Sequence, residues 1–174
     1  TDTAPLIDIN LNSNALENNS LIAVPTGLKP MYNFTKGDTV SAISVKLNKG
    51  KIKLSSKIAK VSFSIDNKHQ SHSEKKVSIF VPSNDVPYLI CDTNLIFLLS
   101  TGKFTKASSL IPGQEIVDKN GNPVLIEGVS LINHNGNGHN ISTNAKWDNT
   151  PNGHLLLANG IVTGDFTLQI HFDQ

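Results

Sequence analysis

The chain has 174 residues, of which 38% are hydrophobic and 17% are charged. Its 15 basic residues, all lysine, stand against 14 acidic ones, and the formal net charge is +1. This length predicts one domain with a core of its own, and no disulfide can form within the chain because Cys91 is the only cysteine. The near-neutral charge and the lack of arginine exclude a typical nucleic-acid-binding protein. No apolar run approaches the roughly 20 residues that span a membrane.

The first 30 residues differ in composition from the rest of the chain. They are rich in asparagine and contain three prolines, which predicts an N-terminal arm or linker over residues 1–30 and a domain over residues 31–174. Four apolar residues of the arm are expected to pack on the domain: Leu6, Ile7, Leu21 and Ile22. Because the sequence begins with Thr1 rather than Met, we expect a fragment or a processed product.

Short runs of alternating apolar and polar residues fill most of the domain, as expected for half-buried strands. The runs fall at residues 43–47, 52–54, 61–65, 77–81, 124–126, 155–157 and 166–172. Turn-forming residues such as Asn48-Lys49-Gly50 separate them, and only residues 13–18 and 105–110 suggest a short helix. The sequence therefore predicts an all-β fold of many short strands.

Basic charge is densest between Lys46 and Lys60, where lysines alternate with apolar residues. This alternation favours the solvated face of a strand or hairpin, and a binding site for a polyanion is the alternative. His69 and His72 lie three residues apart in a polar stretch without a third ligand nearby. We therefore predict neither a metal site nor a cofactor.

Three segments carry a set of motifs in a fixed order. The first is Asn33-Phe34-Thr35-Lys36-Gly37-Asp38-Thr39-Val40. The second begins with Cys91-Asp92-Thr93-Asn94 and continues with Gly102, Phe104, Ala107, Leu110 and Gly113. The third is His154-Leu155-Leu156-Leu157-Ala158-Asn159-Gly160-Ile161-Val162-Thr163-Gly164-Asp165. In spacing and residue type, these segments resemble the hedgehog/intein self-processing domains, the Hint family, over residues 30–174.

The resemblance implies an all-β, horseshoe-like Hint fold with pseudo-twofold related halves and an N-terminal extension. It also implies a bacterial autoprocessing domain that cleaves a peptide bond of its own chain through an acyl shift. Its partners would be the flanking segments of its own precursor, and it would work as a monomer. In the family, an N-terminal Cys or Ser attacks the preceding carbonyl and a Thr-x-x-His pair polarises the scissile amide. A terminal Asn then cyclises with help from the penultimate His.

The resemblance implies five candidate catalytic residues. Asn33 is at the nucleophile position, and Cys91 and Asn94 are at the Thr and His positions of the second motif. His154 begins the third motif, and Asp165 is at the position of its terminal Asn. Asn33 carries a carboxamide, which is a very poor nucleophile. Asn94 cannot exchange a proton near neutral pH as an imidazole does, and a glycine replaces the penultimate His. These substitutions predict a Hint scaffold that has lost self-splicing.

Several of these residues have two interpretations. Cys91 is either a displaced nucleophile close to His154 or a buried thiol in a Thr-sized position. His154 either polarises a carbonyl or is a structural donor, and Asp165 is either an acid or base or binds the amides of a turn. Trp147 is either a partner-binding aromatic or a core residue.

Three functions are compatible with the sequence as a whole. The first is a self-cleaving domain whose chemistry has diverged. The second is a non-catalytic Hint-like module of a larger secreted or toxin-like protein. The third is a β-sandwich or barrel binding module that is unrelated to the Hint family.

Overall fold

The structure, a computed structural model, describes residues 20–66, 74–134 and 138–172. The predictions for residues 13–18, Leu6, Ile7, His69 and His72 lie outside these ranges. Within them the chain forms fourteen strands, two 3-10 helices and one α-helix. The all-β fold predicted from the sequence is therefore confirmed.

Most of the strands are short. They are β1 Leu21–Val24, β2 Gly27–Pro30, β3 Thr39–Asn48, β4 Lys51–Asp66, β5 Glu74–Phe80, β6 Tyr88–Asp92, β7 Ile96–Leu98, β8 Phe104–Lys106, β9 Glu115–Val117, β10 Pro123–Leu125, β11 Gly128–His134, β12 His139–Thr143, β13 Leu155–Ala158 and β14 Ile161–Gly164. The 3-10 helices are Met31–Asn33 and Ala107–Ser109, and the α-helix, α1, is Phe166–His171.

The largest sheet of the described residues has nine strands, with the β13–β14 hairpin near its centre. The strand order is β12-β4-β3-β13-β14-β7-β8, and β1 pairs with both β13 and β2. Asn159 and Gly160 join β13 to β14 with φ values of 52° and 82°, as a tight two-residue hairpin turn requires. The resulting register pairs Leu155 with Gly164. It therefore brings the beginning of β13 next to the end of β14.

Two smaller antiparallel sheets cover the rest of the described chain. One has three strands in the order β11-β5-β6, and the other consists of β9 and β10. Cys91 lies on β6 opposite Val77 of β5, within an apolar cluster that these strands share. The start of the second motif therefore lies in a sheet different from the one that carries the third motif, whereas Phe104 of the second motif lies on β8 of the main sheet.

The β3–β4 hairpin is the longest paired element. The predicted Asn48-Lys49-Gly50 turn closes it, with Lys49 and Gly50 at positive φ. β4 is a single strand of 16 residues that pairs first with β3 and then with β12. The sequence pattern divided it into two strands, because an apolar alternation does not distinguish one strand that changes partners from two separate strands.

Part of the predicted N-terminal arm lies in the main sheet. Residues 21–30 form β1 and β2, and Ile22 is fully buried in an apolar cluster with Phe34 and Val40. β1 pairs with β13 at Ile22 and Ala158. The boundary between arm and domain after residue 30 stays a prediction.

The prediction of a final strand over residues 166–172 is wrong, because this segment contains the helix α1. Asp165 precedes it with extended backbone, and its Oδ1 accepts a hydrogen bond from the Leu168 amide at 2.9 Å. This is the geometry of a helix N-cap. The suggested helix over residues 105–110 is instead the end of β8 followed by one 3-10 turn.

Candidate functional site

Asp165 lies at the junction between β14 and α1, and its carboxylate is enclosed by donors. Only 2% of the residue is exposed. Oδ1 accepts the hydrogen bond from the Leu168 amide, and Oδ2 accepts one from the Thr143 amide at 3.0 Å. Oδ2 also lies 2.8 Å from Nδ1 of His154. The two oxygens therefore connect α1, β12 and the start of β13.

His154 lies directly before β13 and is 1% exposed. The Asp165 amide donates to the His154 carbonyl oxygen at 2.9 Å, so the two residues are joined through both backbone and side chain. Burial by itself lowers the pKa of the imidazole. The hydrogen bond that Nδ1 makes to the Asp165 carboxylate and the negative charge of that carboxylate outweigh this effect, and the pKa of His154 is raised above 6.5.

Nε2, the other ring nitrogen of His154, is less well supplied with hydrogen-bond partners than Nδ1. Nε2 makes no hydrogen bond of ordinary geometry with the described residues, although the Ala145 carbonyl is a further, smaller cause of the raised pKa. A buried Asp–His pair of this kind can hold a proton at Nδ1 and present Nε2 to a neighbouring group.

Thr143 and Trp147 surround the imidazole of His154. Thr143 Oγ1 donates to the Gly153 carbonyl oxygen at 2.6 Å and lies 3.4 Å from His154 Nδ1. The Trp147 ring lies 5.6 Å from the His154 ring and stacks on His171 of α1 at 4.3 Å. Trp147 also packs against an apolar core cluster. The structure therefore favours the core interpretation of Trp147 over a free surface aromatic.

Asp165 also lines a cavity of about 80 Å³. Cys91, Asp92 and Leu95 of the second motif line the same cavity, together with Ser20. The carboxylate of Asp92 forms an ion pair with the buried Lys76 Nζ. The fold thus brings the second and third motifs to one cavity, which has Cys91 and Asp165 in its wall.

The five predicted site residues are only partly brought together. Cys91 and Asp165 share the cavity, and His154 contacts Asp165 but does not line the cavity as far as the described residues define it. Asn33 and Asn94 are exposed, and neither belongs to the lining. Asn94 lies in the turn between β6 and β7, and its neighbours Asp92 and Leu95 occupy the cavity wall instead.

Gly164 occupies the position that corresponds to the penultimate His of the family motif. A Cβ at Gly164 would lie 2.8 Å from Leu168 Cδ2 and 3.0 Å from Ile96 Cβ. Its φ lies outside the left-handed region, so close packing selects glycine here. The helix α1 therefore fills the space that a side chain at residue 164 would need.

Sequence reasoning missed Thr143 and His171. Thr143 lies in β12, which none of the predicted strands covers, and His171 lies in the segment predicted as a strand, so neither residue was expected at the site. In residues 20–66, 74–134 and 138–172, no group of three or more His, Cys, Asp or Glu side chains is placed to hold a metal ion. No helix in the same part of the chain is long and apolar enough to cross a membrane.

Solved structures with a similar fold span most of the chain. The gp41-1 intein is 19% identical, with 86% of this chain and 97% of that chain covered and a TM-score of 0.61. The bacterial intein-like domain from Clostridium thermocellum is 16% identical, with 86% and 96% covered and a TM-score of 0.63. A DnaB intein from Synechocystis sp. is 15% identical, with 86% and 96% covered and a TM-score of 0.58. No protein-family model and no curated protein matches the sequence.

The chain has the Hint fold of the inteins. The resemblance drawn from the three motifs is therefore confirmed at the level of the fold. In this intein-like domain, the cavity walled by Cys91 and Asp165 is the candidate site.

Proposed function

We propose that this intein-like domain has lost self-splicing and remains in its parent polypeptide as a non-cleaving structural module. The observation that carries the proposal is the path of the chain after β14. The chain continues from Asp165 directly into α1, and Leu168 of that helix packs into the space beside Gly164. A scissile bond at this point would lie within a capped helix rather than before a released segment.

The hydrogen bonds of Asp165 also oppose cleavage after this residue. To attack its own backbone carbonyl carbon, the carboxylate would have to turn away from Leu168, Thr143 and His154. The Asp165 carbonyl oxygen accepts a helical hydrogen bond from Gln169 at 3.2 Å. Cyclisation would therefore break the N-cap and the buried pair and leave polar groups unsatisfied, at a cost of about 3 kcal/mol.

The second motif lacks the Thr and His that polarise the scissile amide in the family, because Cys91 and Asn94 stand at those positions. Asn94 is exposed and outside the cavity lining, and the side chain of Leu95, which does line the cavity, has no polar atom. Asn33 is exposed and lies outside the cavity lining. A carboxamide cannot form the thioester or ester of an acyl shift, which needs a thiol or a hydroxyl.

The test is the mass of a precursor in which the chain lies between two reporter domains of different size. The purified precursor is incubated near neutral pH with and without dithiothreitol, and its intact mass is followed over days. We expect a single unchanged mass. A splicing-competent intein between the same reporters is the positive control. Release of either reporter, or their ligation, would overturn the proposal.

A second candidate function is diverged self-cleavage, and one observation favours it. Cys91 and Asp165 share one cavity, so a thiol and a carboxylate line the same small space. If this chemistry operates, the precursor releases a reporter, and Cys91→Ala abolishes the release while Asp85→Ala, at an exposed position, does not. The same incubation therefore separates the two functions.

A further inference from the structure

A basic face lies on the β3–β4 hairpin, apart from the candidate site. It consists of Lys46, Lys51, Lys53 and Lys57 on the strands and Lys49 in the turn, and all five side chains are exposed. The register places Lys46 directly opposite Lys53, Asn48 opposite Lys51, and Ala42 opposite Lys57. Because side chains alternate across a strand, the four strand lysines share one side of the hairpin.

The other side of the hairpin faces the protein. Val45, Ile52 and Leu54 pack against an apolar core cluster. A Cβ added at Gly102 would lie 2.7 Å from Leu47 Cδ1, so Leu47 also rests on the body of the domain. Over Lys46, Lys51 and Lys53 the basic face is consequently the outer side of the hairpin. At the Lys57 end the protein covers part of the same side, since Ala42, opposite Lys57, is only 3% exposed.

Acidic residues are missing from the part of the sequence that forms this face. The sequence has no Asp or Glu between Asp38 and Asp66, a stretch that holds six of the 15 lysines. Among the described side chains, none of the five lysines of the face belongs to an ion pair. The other nine lysines and all 14 acidic residues lie outside that stretch, which leaves the rest of the chain with a formal net charge of −5.

We propose that the basic face binds an extended acidic segment of a polypeptide. Lysines two residues apart on a strand lie about 7 Å from each other, which is also the spacing of alternate carboxylates along an extended peptide. The direct Lys46–Lys53 pair is unfavourable without an anion, since like charges opposite each other in a ladder repel. An acidic strand laid along the hairpin would remove this repulsion.

The length of the face favours a short ligand over a long polyanion. From Lys51 to Lys57 the face is about 20 Å long. A membrane surface or a long nucleic acid extends past a face of this length, so most of its charges would meet no lysine of the face.

The test measures binding of a fluorescent peptide of alternating Glu and Thr to the full chain by anisotropy. A peptide with Gln in place of Glu is the matched ligand. The test variant carries Lys46→Gln, Lys51→Gln, Lys53→Gln and Lys57→Gln. The control variant carries Lys36→Gln, Lys75→Gln, Lys119→Gln and Lys146→Gln, which changes the net charge equally at exposed positions outside the hairpin.

We expect the acidic peptide to bind in about 0.01 M salt and to dissociate near 1 M, where the Debye length falls to about 3 Å. Loss of four exposed charge pairs should weaken binding by about tenfold or more, and the control variant should bind like the unaltered chain. Equal weakening in both variants, equal binding of the Gln peptide, or no binding at low salt would overturn the proposal. Tighter binding of a single-stranded oligonucleotide or of phosphatidylserine vesicles would also overturn it and assign the face to a polyanion.

Discussion

Nδ1 of His154 lies 2.8 Å from Oδ2 of Asp165, and the same two residues are joined a second time by the Asp165 amide and the His154 carbonyl oxygen. One residue precedes β13 and the other follows β14, so the pair closes the open end of this hairpin. Since Asp165 is also the N-cap of α1, the direction in which the chain leaves the sheet depends on this contact.

Asp165→Ala should therefore destabilise the fold strongly. The substitution removes the N-cap of α1 and leaves the buried Thr143 amide without its acceptor. We expect the free energy of unfolding to fall by about 2–4 kcal/mol, measured by urea denaturation. Asp85→Ala removes a carboxylate from an exposed position and should change stability by less than about 0.5 kcal/mol. Similar losses for the two variants would show that the contacts of Asp165 contribute little.

The raised pKa of His154 predicts a pH-dependent part of the stability. A group whose pKa is higher in the folded than in the unfolded chain stabilises the fold when it is protonated. For His154 this contribution is fully present below its unfolded value of 6.5 and is lost as the pH rises through the raised folded pKa. The difference in unfolding free energy between the unaltered chain and His154→Gln should therefore shrink from about pH 6 toward pH 9. A difference that is constant over this range would contradict the assignment, because the other histidines affect both proteins alike.

The single tryptophan reports on the same region. Trp147 stacks on His171 at 4.3 Å and lies 5.6 Å from the His154 ring. Because a protonated imidazole quenches an excited indole, tryptophan emission should fall as the pH is lowered. His154→Gln should remove the part of this quenching that follows the raised pKa of His154, and His171→Gln should change the emission by removing the stacked ring. Emission that does not change with pH in the unaltered chain would contradict these contacts.

Local sequence signals predicted some elements and misassigned others for identifiable reasons. The Asn48-Lys49-Gly50 turn was recognisable because left-handed backbone in a hairpin turn favours these residue types. The segment 166–172 was misassigned because Phe166 and Ile170 fit alternate strand positions and one face of a helix equally well. Asp165, a strong N-cap residue immediately before the segment, was the signal that favoured a helix.

The sequence predicts the part of the candidate site that a single hairpin brings together. His154 and Asp165 bracket the β13–β14 hairpin, so their proximity follows from the Asn159-Gly160 turn and the register it imposes. Thr143 reaches them through pairing of β12 with a distant strand, and no local pattern encodes that contact. A side chain at residue 164 is excluded because α1 packs against Gly164. Comparing the sequence with a family motif does not reveal how a helix packs.

Gly164 and Leu168 should be coupled energetically, and this coupling tests whether the helix closes the site. Gly164→Ala places a methyl group 2.8 Å from Leu168 Cδ2 and should cost about 1–3 kcal/mol, whereas Leu168→Ala empties a buried position and should cost about 2–5 kcal/mol. In the double variant the smaller residue at 168 accommodates the methyl group, so the total should be less than the sum by about 1 kcal/mol or more. Gly128→Ala is the control, because its methyl group would meet Phe80 Cβ at an ordinary 3.5 Å and should not couple to Leu168→Ala. If the losses of unfolding free energy from the two substitutions simply add, the methyl group at residue 164 clashes with Ile96 rather than with Leu168. In that case α1 is not what excludes a side chain at residue 164.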